Sequence, residues 1–111
     1  MIGWAIAAFN ARNLKASLYI FNGSSPSQSS IQTWRGQGHE VGMHPTAFSK
    51  GVTLDQAFQN NQNYFTFGGY GSPSPTSRNH QVEWLGWVDA AKVAANHGVS
   101  MDTSLYTWGP A

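Results

Sequence analysis

The sequence predicts an α/β domain built on a parallel sheet of about four strands with crossover helices. Three observations predict it: short β-forming runs alternate with helical patterns, turn or cap signals mark nearly every junction, and 111 residues suit one core. Residues 1–111 read as a single domain with no repeat and no linker.

From Ile2 to Leu14, the apolar residues Trp4, Ala5, Ala8, Phe9 and Ala11 recur at three- and four-residue steps, which predicts an amphipathic core helix stopped near Asn13. Ala16–Phe21 (ASLYIF) is nearly continuous and apolar, as expected of a strand covered on both faces. Ser25, Pro26 and Gln28 then supply the N-cap, first-turn proline and capping-box glutamine of a second helix running to about Gly36. His39–Met43 (HEVGM), bounded by Gly38 and Pro45, predicts a short central strand. A second capping box, Thr53 with Gln56, opens a helix from Leu54 to about Phe67, closed by Gly68 and Gly69. After the loop GYGSPSPTS, Thr76–Asn79 predicts a third strand. Val82, Leu85, Val88, Ala91 and Ala95 mark a fourth helix ending at His97 and Gly98, and VSMDTSLY supplies the last strand. Helical crossovers between successive strands imply βαβ units and a parallel sheet.

Composition narrows the function classes. Charged residues are only 10%, well below the roughly one quarter of an average soluble domain, so much of the surface is neutral and association is favoured. The net charge of +1 comes from scattered residues without a basic stripe, which argues against nucleic acid. Cysteine is absent, removing disulfides, thiolate metal sites and Cys nucleophiles. The apolar N-terminal run, about nine residues, is too short to span a membrane.

In parallel sheets ligands bind beyond the carboxyl ends of the strands, so Asn22, His44, the run Arg78–His80 and Asp102 are the informative positions. His39 lies five residues before His44, an odd number, so in an extended segment the two rings point to opposite faces, about 16 Å apart along the strand. His39 is therefore read as structural. Arg78 has the alternative of a surface cation, and Asp102 that of a cap on the turn into TSLY. Trp84, Trp87, Tyr106 and Trp108 offer faces for sugar stacking, with core packing as the other reading, which suits Trp84 and Val88 on one helical face. No serine elbow is present, and the Gly68–Gly71 cluster follows a helix, which argues against nucleotide binding.

The runs KASLYIF, RGQGHEVGMHP and SRNHQVEWLGWVDAAKVAANHGVSMDTSLY resemble the polysaccharide deacetylase (NodB-homology, carbohydrate esterase) family, the Gly-His-Glu-Val-Gly-x-His run being the most specific part. The resemblance implies half of a (β/α) barrel that uses a divalent metal such as Zn²⁺ to hydrolyse acetyl groups on carbohydrate. It assigns His44 as a metal ligand and Arg78 as a catalytic-site residue that orients an Asp. Phe48 stands where the family carries its second His, and the two Asp of the family's first strand would precede Ile2. The expectation is a middle portion truncated at both ends, incomplete or inactive as a hydrolase. His80 and Asp102 are candidate substitute ligands, and Trp87 and Tyr106 candidate substrate-binding residues. The competing reading is a non-catalytic structural or carbohydrate-binding module. Either way, uncovered strand edges predict a homo-oligomer.

Overall fold

The computed structural model describes residues 2–24, 26–84 and 86–104. Strands β1 (Ser17–Ile20), β2 (Glu40–Met43), β3 (Thr76–Ser77) and β4 (Met101–Asp102) form one sheet in the order β1-β2-β3-β4, with every pair parallel. Helices α2 (Gln28–Gly36), α3 (Leu54–Gly68) and α4 (Asp89–Asn96) make the crossovers, and α1 (Ile2–Ala11) precedes the sheet. Sequential strand order is the pattern of a barrel wall; a doubly wound sheet reverses direction at a switch point. The predicted α/β class and four parallel strands are what the chain adopts.

The sheet has two unlike faces. The row Ile20–Met43 and the neighbouring Val41 pack under the helices with Ile31, Leu54, Ala57, Phe58, Phe65, Ala90 and Ala94, which form the core. The other face carries Ser17, Tyr19, Glu40 and Thr76, joined by hydrogen bonds from Ser17 Oγ and Thr76 Oγ1 to Glu40 and from Tyr19 Oη to Thr76. The expectation that β1 is covered on both faces is therefore wrong: Ser17 is exposed and Leu18 and Tyr19 are only partly buried. Gly42 is required on this face, because a Cβ there would stand 2.6 Å from the Thr76 carbonyl oxygen.

Helix α3 follows its predicted signals. Thr53 Oγ1 accepts the Gln56 N–H while the Gln56 side chain accepts the Thr53 N–H, and Gly69 closes the helix in the left-handed conformation. Three other expectations are corrected. The cap of α2 is Ser27, whose Oγ accepts the Ser30 N–H, so the helix starts later than the Ser25-Pro26 signal suggested. Helix α1 is no core helix: Ile6 is buried, but Trp4 is 70% exposed, because the helix is held at the sheet margin by polar contacts from Asn10. The fourth helix starts only at Asp89; Gln81 and Val82 have positive φ (52° and 54°) and break the periodicity before it. Its buried face is Ala90 and Ala94, and Trp84 and Val88, read as core, are both exposed. Among the described residues, no helix is long and apolar enough to cross a membrane.

Candidate functional site

The carboxyl end of β2 is where the chemistry collects. Beyond β3 the parallel ladder continues into the following loops: the Arg78 N–H donates to Met43 O and the His80 N–H to Pro45 O. This zippering brings His80 to His44, with Nε2 of His44 3.3 Å from Nδ1 of His80 and the rings edge-on. Together with Phe21, Asn22, Thr46, Ser49, Lys50, Ala57 and Asn60 they line an open cavity of about 620 Å³. Three of the four strand ends singled out in the sequence therefore contribute a residue here, Asn22, His44 and His80.

Two residues that the sequence did not mark hold this end together. Asn61 is buried in the apolar stripe of α3; its Oδ1 accepts the His44 N–H at 2.8 Å, and its Nδ2 donates to Ile20 O and to Asn22 Oδ1. A signal existed, because an Asn between Phe58 and Phe65 interrupts an otherwise apolar face. Glu83, 2% exposed, accepts the Ala47 N–H on one carboxylate oxygen at 2.7 Å and the Phe48 N–H on the other at 2.8 Å. It pins the loop that carries Thr46, Ser49 and Lys50. No local signal marked Glu83, since its segment reads as helix.

Burial, then the neighbouring His80, hold the His44 imidazole below its ordinary value of 6.5; the Arg78 charge adds to this, while main-chain hydrogen bonding at Arg78 and the Glu83 charge oppose it. A ring so placed favours its neutral form, and the close pair can hold one proton between Nε2 of His44 and Nδ1 of His80.

The remaining candidates lie apart. Asp102 pairs with Ser77, which pairs with Met43, so Asp102 belongs to the helix-side row while His44, one residue past Met43, projects to the other face. Its Oδ1 accepts the Ser104 N–H, capping the turn, and Oδ2 is buried without a partner among the described residues. Arg78 is exposed, with no acidic partner within 4.0 Å among the described residues. Trp87 is 93% exposed and away from the cavity, and Tyr106 lies outside the described residues, as does Trp108. His39 is structural: its Nδ1 accepts the Ala16 N–H at 3.0 Å and its Nε2 donates to Asn10 Oδ1 at 2.7 Å.

No protein-family model matches the sequence, and no curated protein sequence matches it. A solved structure does: a family 4 carbohydrate esterase from Streptomyces lividans, determined in complex with acetate, superposes with a TM-score of 0.67 at 17% identity. The match covers 86% of this chain and 52% of the esterase, so the chain spans about half the length of the solved protein. At that identity the likeness establishes architecture, and over the matched residues this chain has the fold of a family 4 carbohydrate esterase.

Proposed function

We propose that this is a polysaccharide deacetylase-like domain whose His44 cavity receives acylated carbohydrate. The observation that carries the reading is the position of His44: it stands at the carboxyl end of a central parallel strand, 3.3 Å from His80 in the lining of a cavity large enough for sugar rings. Likeness of fold to a carbohydrate esterase supports the substrate class.

The divalent metal implied by the fold family does not fit the residues described. No group of three His, Cys, Asp or Glu side chains converges among them, and the two imidazoles that do meet touch each other through their ring nitrogens. A catalytic zinc needs about three protein ligands. Metal-dependent hydrolysis would require acceptors in addition to His44 and His80. What these side chains do themselves is bind and orient: Asn22 and Asn60 offer amide groups to a carbonyl or hydroxyl, Phe21 offers an apolar face beside His44, and the histidine pair holds a proton next to the bound group.

The test is titration of the protein with an N-acetylglucosamine trimer, followed by the ring resonances of His44 and His80, with acetate release measured in parallel with and without added Zn²⁺. Binding that shifts both rings and is lost in His44→Ala is expected. Trimer binding that leaves both rings unmoved, or no binding at all, would overturn the reading.

A further inference from the structure

The polar lining of the cavity is rich in donors, and we infer that it receives an acidic saccharide unit, with the anionic group seated between Lys50 and the His44–His80 pair. This deepens the proposed function and rests on the same cavity. The chain has five Asp and Glu side chains, and none of them lines it. Glu40 is at the opposite end of β2, bonded to Ser17 and Thr76. Asp55 pairs with His97 at 2.7 Å. Glu83 has both oxygens committed to main-chain N–H groups, Asp102 caps its own turn on the other face, and Asp89 opens α4.

Against this, the cavity holds Lys50, which has no acidic partner within 4.0 Å among the described residues. Asn22 adds to the bias, because its Oδ1 is occupied by the Asn61 amide and its Nδ2 is what remains to offer. The hydroxyls of Thr46 and Ser49 turn either way. A cation entering here would meet positive charge and N–H groups; an anion would meet charge-assisted donors, and such bonds are about twice as strong as neutral ones. The volume of about 620 Å³ exceeds what a simple ion needs, and Phe21 and Ala57 supply an apolar wall for the carbon face of a sugar ring. Carboxylate and phosphate share this chemistry, and the probes below separate them.

The experiment is calorimetric titration of the full chain with glucuronic acid, glucose 6-phosphate, neutral methyl glucoside and the N-acetylglucosamine trimer, with Lys50→Gln and Asn22→Ala as variants. At least one acidic probe binds about tenfold or more tightly than methyl glucoside, loses about tenfold in Lys50→Gln, and weakens as salt is raised. The stronger of the two acidic probes identifies the anionic group. Equal binding of acidic and neutral probes, or an unaltered affinity in both variants, overturns the inference. Trimer binding without any acid preference overturns this inference and leaves the proposed function standing. Acidic-probe binding without trimer binding does the reverse, and binding of neither overturns both.

Discussion

The two ends of β2 each carry a histidine, and they have opposite fates. At the amino end His39 is 4% exposed and both ring nitrogens are committed, one to the Ala16 main chain and one to Asn10, so it ties α1 and the start of β1 to the sheet. At the carboxyl end His44 is half-buried, its main chain is held by Asn61 and Ile20, and its ring meets another imidazole at 3.3 Å in the cavity lining. The same residue type on the same strand is a fastener at one end and an accessible group at the other. The difference lies in partners: a ring with two fixed neutral partners has no capacity left, whereas the His44–His80 pair retains capacity for a proton or a ligand.

The largest effect should come from the cavity end, at a residue that acts structurally. Glu83→Ala leaves the buried Ala47 N–H and the partly buried Phe48 N–H without acceptors, and hydrogen bonds to charged groups contribute about 1.5–3 kcal/mol each. A loss of about 3 kcal/mol by urea denaturation is expected, with weakened ligand binding as the His44 loop loosens. A loss below about 1 kcal/mol would show that the loop holds without its clamp.

Next comes the direct comparison of the histidines. His39→Ala should cost about 2–3 kcal/mol, because it opens a buried gap and strands the Ala16 N–H, while leaving cavity binding unchanged. His44→Ala should cost less than about 1 kcal/mol and remove binding, since the ring fills no closed core. Comparable losses for the two variants would erase the distinction between fastener and site.

The smallest effect is on pH dependence. Because the folded pKa of His44 lies below its unfolded value, the unfolded chain binds more protons between the two, and stability rises with pH through that interval. The penalty is full below the folded pKa and gone above about 6.5. Unfolding free energies at pH 5 and pH 8 should therefore differ by less in His44→Gln than in the parent protein; an unchanged difference would place the titrating group elsewhere.

Much of this fold was legible in local pattern. The capping box at Thr53 and Gln56, the left-handed stop at Gly69 and the strand at Glu40–Met43 all depend on neighbours a few residues away, and they appear where the spacing predicts. The segment before α4 was misread for the same reason in reverse. Val82 and Val88 keep helical spacing, but tertiary contacts draw the chain aside: His80 N–H bonds to Pro45 O, and the Glu83 side chain reaches Ala47 and Phe48. The left-handed residues Gln81 and Val82 follow from that route.

By itself, then, the sequence determined the alternation of strands and helices, the parallel class, and the separation of His39 from His44, because an odd spacing on a strand sends two side chains to opposite faces whatever surrounds them. Only the tertiary structure decided that His80 would join His44 and that Asp102 would not. Those pairings run across 36 residues of chain in one case and are refused by strand register in the other, and register is set by how β2, β3 and β4 align in the sheet.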